Sequence, residues 1–105
     1  MTSDRVTVRY EVTLECSEST APELERWMRN IHIPDVLATG CFIGARFDRE
    51  DGRFRTSYHA AGRGDLDRYL AEHAARLRDE FARRFPTGVA VSREIWTQLQ
   101  HWPPM

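Results

Sequence analysis

The chain has no lysine; all fifteen basic residues are arginine, which a GC-rich coding bias explains as readily as a demand for bidentate contacts. Sixteen acidic residues are mixed among them for a net charge of −1. No basic stripe tracks a phosphate backbone or an anionic lipid surface, so neither nucleic acid nor membrane is an expected partner. Cysteine is scarce: Cys16 and Cys41 are too few for a disulfide framework, and both are expected as reduced thiols at opposite ends of a sheet. No apolar run approaches the roughly 20 residues that span a bilayer. The segment Met1-Thr2-Ser3-Asp4-Arg5 lacks the apolar core of a signal peptide, and a cytoplasmic location is expected. There is no Gly-rich phosphate loop, nucleophile elbow or C-x-x-C. His32, His59, His73 and His101 do not fall at metal-ligand spacing, so no metal and no cofactor is expected.

What remains is a globular composition, 41% hydrophobic and 30% charged, in 105 residues, the length of one domain spanning 1–105. From Arg5 to Glu15 the side chains alternate, with Val6, Val8, Tyr10, Val12 and Leu14 on one face, which predicts a first strand with one apolar side. Ser17 to Thr20 supply capping hydroxyls and Pro22 suits a first helical turn. Leu24, Trp27, Met28 and Ile31 then mark an amphipathic helix, expected to end or kink at His32-Ile33-Pro34, with a short turn closed by Gly40. Cys41, Ile43, Ala45 and Phe47 alternate with Phe42, Gly44, Arg46 and Asp48. They read as a second strand joined through Asp51-Gly52 to a third that carries Phe54, Thr56, Tyr58 and Ala60.

A helix of about twenty residues is predicted after an Asp65 N-cap, with Leu66, Leu70, His73, Leu77, Phe81 and Phe85 on its inner face. Glu72 with Arg76, Asp79 with Arg83, and Glu80 with Arg84 form its solvated side. Val89 to Leu99 read as a fourth strand, and 98–105 as a tail that is loose or docks on a partner. The order is β-α-β-β-α-β. Right-handed crossovers place both helices on one side of a four-stranded antiparallel sheet, the α+β ferredoxin-like arrangement. The bare face, with Thr7, Arg9, Glu11 and Thr13 beside Phe42, Gly44 and Arg46, is expected to pair with a second copy in a homodimer.

The segment Glu25 to Phe42, with Trp27-Met28, His32-Ile33-Pro34, Val36-Leu37 and Thr39-Gly40, resembles a bacterial family known as domain-of-unknown-function family 4286. Asp65 to Ala74 with Leu77-Arg78, and Arg93-Glu94, resemble that family's second helix and last strand. The family is similar to the dimeric α+β barrel superfamily. That resemblance implies two ferredoxin-like protomers packed sheet on sheet, each with room for a pocket between its sheet and helices. Related barrels include cofactor-independent oxygenases, lactone isomerases, haem-degrading enzymes, dye peroxidases and ligand-sensing regulators. The resemblance transfers no catalytic residue, and fold alone does not fix function.

His73, on the apolar stripe between Leu70 and Leu77, is the candidate general base or haem ligand, against the plainer role of a hydrogen-bonded core histidine. His32, Trp27 and Asn30 gather an imidazole, an aromatic wall and an amide near the break in the first helix, against the favoured plainer reading of Trp27 in the core, Asn30 in solvent and His32 capping a helix carbonyl. Tyr58 and Tyr10, and Tyr69 if it turns inward, have hydroxyls to offer a cavity under the helices, against the favoured plainer role of core packing. Arg9, Glu11, Arg46 and His59 form a polar group near the bare face, suited to a carboxylate or to fixing dimer register. The expected function is binding of a small, partly apolar organic ligand between helices and sheet. The alternatives are a cofactor-independent oxygenase or isomerase with His73 as base, a haem binder with His73 as axial ligand, and a non-enzymatic interaction or regulatory module.

Overall fold

Alternation along the first strand sets the layout of residues 7–104, which the computed structural model describes. In β1 (Val8–Cys16), Val8, Tyr10 and Leu14 are buried beneath helices while Arg9, Glu11 and Thr13 point to the other side. Arg5 and Val6, the start of the expected strand, lie outside the described residues. β1 pairs antiparallel with β3 (Arg53–Ala60) and with β4 (Val89–Thr97), and β2 (Gly44–Glu50) pairs with β3, so the order is β2-β3-β1-β4. This is the ferredoxin-like arrangement, with all helices on one face.

Two groups of side chains fill the space between the layers. Val8, Tyr10, Phe42, Tyr58, Leu66, Tyr69 and Leu77 form one, and Leu14, Leu24, Met28, Phe54, Phe81 and Phe85 the other. Val12 and Ile33 touch both and join them into one core. Burial of this kind, worth roughly 25 cal/mol per Å² of apolar surface, is the main favourable term holding helices to sheet.

The first helical segment does not break where the proline suggests. α1 (Ala21–Trp27) runs into a π-helical turn (Met28–His32) and then α2 (Ile33–Leu37), so the chain stays helical through Pro34. Proline lacks an N–H and its ring crowds the carbonyl four residues back, here Asn30; widening the preceding turn relieves that crowding. Gly40 then takes a φ of +76° and its N–H bonds the Leu37 carbonyl at 3.2 Å, the left-handed helix end expected of it.

Three further expectations are corrected. The second strand begins only at Gly44: Ile43 is 70% exposed, and Phe42 leaves the bare face to pack against Tyr10, Tyr58 and Tyr69. Strand parity does not govern residues that precede the ladder. The second helix begins two residues before Asp65 and is split by His73 (φ −126°) into α3 (Arg63–Glu72) and α4 (Ala74–Arg84). On its outer side Asp79 pairs with Arg83 at 2.8 Å, but Arg84 reaches Glu23 of α1 and so ties the two helical layers together. Beyond β4, the Gln98 N–H bonds the Thr7 carbonyl at 2.9 Å, and Leu99 and Trp102 are exposed. Among the described residues no helix is long and apolar enough to cross a membrane.

The β2–β3 turn depends on close approach. Asp51 adopts a left-handed φ of +53°, while Gly52 accepts a bond from the Cys16 N–H at 2.9 Å, and a Cβ on Gly52 would collide with the Cys16 carbonyl. Gly52→Ala is therefore expected to lower unfolding free energy by about 1–3 kcal/mol, and Asp51→Asn to change it little. Urea denaturation of both variants checks this; a Gly52→Ala protein as stable as the parent would contradict the close approach.

Candidate functional site

The π turn builds the site. Its wider coil, closed by the Ile33 N–H on the Met28 carbonyl, brings Trp27 and His32, five residues apart, onto one side, their rings 5.2 Å apart and 23° from parallel. Phe81 of α4 closes edge-on against both, at 5.8 Å from His32 and 5.7 Å from Trp27. The imidazole is thus held over the sheet between aromatic rings. Burial pushes its pKa from 6.5 down to about 4, with Arg93 adding to the shift and Asp35 opposing it. At neutral pH His32 is uncharged, with one nitrogen a donor and the other an acceptor.

Beside it, the rings of Tyr10, Phe42, Tyr58 and Tyr69 pack at 4.9 to 6.4 Å. Between this aromatic group and the His32 group lies a cavity of about 20 Å³, room for a single water. Val12, Leu14 and Met28 form its apolar floor and wall, Tyr10, Tyr58, Tyr69 and His32 its polar points, and Arg78 and Arg93 its charged ones. Among the described residues the buried Tyr58 hydroxyl has no well-formed hydrogen bond, only a marginal contact with the Thr56 hydroxyl two positions away on the same strand. The Tyr10 hydroxyl accepts from Arg78 Nη2 at 2.9 Å. Burial raises the Tyr58 phenol above its ordinary range and pushes Tyr69 up to about 12, so both stay protonated donors.

Of the residues singled out from sequence, His32, Tyr58 and Tyr69 meet at this cavity and Trp27 backs His32. Asn30 is exposed, in a surface groove with Arg26 and Arg29. His73 is also outside. The break between α3 and α4 turns it away from the sheet into a shallow groove with Asp35, Ala38, Thr39 and Arg76, where its Nδ1 lies 3.3 Å from Arg76 Nη2. Sequence reasoning did not find the two cavity arginines. One signal was available: in β4, Val89, Val91, Arg93 and Ile95 share the helix-facing side, which makes Arg93 a charge on an apolar face.

On the opposite sheet face, Ser57 is buried and donates to Glu11 Oε2 at 2.7 Å. Arg9 Nε and His59 Nε2 nearby are buried without partners. Burial, then Arg9 and Arg46, lower the His59 pKa. Glu11 stands directly opposite Glu94, and Trp96, 51% exposed, stands opposite Arg9. Among the described residues, no three His, Cys, Asp or Glu side chains gather as a metal site would need.

Comparison with known proteins places the fold. A family model described as "Domain of unknown function (DUF4286)" matches residues 7–99. No curated protein matches the chain. Protein SO0527 from Shewanella oneidensis is similar in structure, with a TM-score of 0.70 at 15% identity over 90% of this chain and 93% of that one. NE2512, a protein of unknown function from Nitrosomonas europaea, has a TM-score of 0.67 at 15% identity over 98% of this chain and 99% of that one. A dimeric ferredoxin-like protein from an uncultured marine organism has a TM-score of 0.70 at 8% identity over 94% of this chain and 100% of that one. At such identities the likeness is one of fold.

The depressed pKa of His32 has a consequence for stability. Above pH 6.5 both folded and unfolded states carry a neutral ring, and the full native stability is present. As pH falls below 6.5 the unfolded chain takes up a proton that the folded chain refuses until about pH 4, so stability declines across that window by a total of order 3 kcal/mol. His59 acts in the same direction, so the informative measurement is a difference. Urea unfolding of His32→Phe between pH 7 and 4 is expected to show a shallower decline than the parent by that amount; superimposable pH profiles would contradict the burial of His32.

Proposed function

The chain belongs to the DUF4286 family, and we propose that it is a cytoplasmic homodimer that binds a small, partly apolar organic molecule in the cavity between helices and sheet. The observation that carries this reading is the Tyr58 hydroxyl, a buried donor without a well-formed partner, facing a cavity beside an uncharged imidazole. A buried donor left unmade costs about 1–3 kcal/mol, and binding sites commonly combine apolar walls with a few polar groups of this sort. His32, Tyr58 and Tyr69 are the ligand-facing residues, with Trp27 positioning His32.

The resting cavity has room for one water, so a ligand's head group enters only as a wall gives way. Its wall on the β4 side is the adaptable one, since Val91 is only partly buried and Arg93 and Ile95 are exposed. Movement of Arg78 off Tyr10 would open it without disturbing the core. His73 does not line this cavity and faces the groove with Asp35, Thr39 and Arg76 instead, so this reading gives it no contact with the ligand.

The dimer rests on the bare sheet face. Arg9, His59 and Trp96 present buried polar atoms and an exposed indole there, and a similar fold is described as dimeric. A twofold partner laid sheet on sheet would cover all three.

Sedimentation velocity is expected to give twice the 12.3 kDa protomer mass, and Trp96→Asp to shift the protein toward the protomer mass at micromolar concentration. A concentration-independent protomer mass in the parent protein would rule the dimer out. For the cavity, Val12→Phe is expected to block ligand-induced ¹H–¹⁵N shifts at His32, Tyr58 and Val91. A panel of small organic acids, amides and alcohols producing no such shifts up to about 1 mM would defeat the binding reading.

A further inference from the structure

We infer that the molecule this cavity takes is a small monocarboxylate, its carboxylate read by Arg78 and Arg93 and its apolar body lying outward along β4. This rests on the cavity being the binding site proposed above, and adds the chemistry of the head group.

Arg78 and Arg93 are the cavity's only charged liners, and no acidic side chain lines it. They come from different walls, α4 and β4, and both side chains are on the solvent side. Seven of the fifteen arginines pair with a carboxylate: Arg29, Arg49, Arg55, Arg63, Arg68, Arg83 and Arg84. Among the described residues neither Arg78 nor Arg93 has one, and Arg78 makes do with the Tyr10 hydroxyl. Other arginines of the described residues are also unpaired; Arg78 and Arg93 are two that share one cavity.

The neutral groups point the same way. Among the described residues the Tyr58 hydroxyl, in a residue 2% exposed, has no well-formed acceptor, and the Tyr10 hydroxyl receives a bond while its own proton has no acceptor. Two guanidinium groups and two phenols are donors in search of an acceptor-only group. An ionised carboxylate is such a group, with two oxygens and about four lone-pair positions, and its bonds to guanidinium are stronger than those between neutral groups. A primary amide would bring two N–H donors to a site already rich in donors.

Size selects among anions. The resting cavity of about 20 Å³ has room for one water, so any head group enters only as Arg78 moves off Tyr10, and a planar two-oxygen head needs less of that opening than a tetrahedral phosphate. The body of the ligand then has the partly covered strip of Val91 and Ile95 to lie along. A monocarboxylate with a short chain or one ring meets these conditions.

The test uses the full-length protein and two matched pairs, phenylacetate with phenylacetamide and hexanoate with hexanamide, titrated at pH 7 and low salt by calorimetry, with inorganic phosphate as a third arm. Each acid is expected to bind at least about tenfold more tightly than its amide. Arg93→Met and Arg78→Met are each expected to weaken the acid about tenfold and the amide several-fold less, so that the acid falls close to the level of its amide. Arg93→Lys should keep part of the preference, and Tyr58→Phe should weaken the acid several-fold. Amides binding as well as acids would overturn the carboxylate assignment and leave the cavity reading standing. Phosphate binding as tightly as the acids, with the same dependence on Arg93, would replace it with a general anion site. Equal loss of acid and amide in Arg93→Met would mean that the side chain shapes the cavity without reading charge, and would also overturn it. No binding of either pair would bring down both this inference and the reading it rests on.

Discussion

A missing backbone donor at Pro34 governs the arrangement of the site. A regular α-helix through that position would press the proline ring on the Asn30 carbonyl, and ending the helix there would expose the carbonyls of its last turn. The chain widens instead, over Met28–His32. The extra residue in that turn changes which side chains share a face, so Trp27 and His32 stack and His32 is carried into the interlayer space. In a regular helix five residues subtend about 500°, which leaves the two rings well apart in direction. The uncharged imidazole, its aromatic enclosure and one end of the cavity all follow from the turn.

A second constraint is the sheet's uneven cover. β3 and β1, the central strands, lie under both helical layers, and Phe54, Tyr58, Tyr10 and Leu14 are buried. β4, at an edge, has only Val89 and Val91 partly buried and nothing fully so. An arginine on its helix-facing side would be costly in the centre of the sheet. At the edge, Arg93 can line a cavity and still keep its guanidinium in solvent, and Arg78 does the same from α4. The cavity is therefore polar at one end because the fold leaves that end thinly roofed.

Much of this was legible in the chain. Period-two alternation in β1 and β3 is local and strong, and it fixes which side of each strand is buried. Leu24, Met28, Leu66, Leu77 and Phe81 sit at helical spacing and all are buried. His32, Tyr58 and Tyr69 were also recognisable as residues of the interlayer space. What the chain did not reveal depends on competition between distant parts. Phe42 looks like an outward strand residue until the tyrosines of β1, β3 and α3 are in place to receive it. His73 continues an apolar stripe in sequence, but the stripe belongs to two helices that are not continuous. Arg78 sits beside Leu77 and reads as solvent-facing; its role depends on Tyr10, 68 positions away.

Among the described residues, the buried polar atoms without well-formed partners fall into two places. Tyr58 and Thr56 lie on the helix side of the sheet, and Arg9 and His59 on the bare side. A buried polar group left unmade costs about 1–3 kcal/mol, a sizeable share of the 5–15 kcal/mol by which a domain is usually stable. Unmet groups gathered at two sites are hard to treat as packing accidents, since accidents would be scattered. The like-charged pair Glu11 and Glu94, directly opposite across β1 and β4, adds to the strain on the bare face, where cross-strand carboxylates repel. A twofold partner that brings its own Arg9 or Arg46 over that pair would relieve the repulsion. A carboxylate in the cavity would accept from Tyr58. The two proposed partners, a second copy of the chain and a small acid, answer unmet electrostatic demands on opposite faces of one sheet.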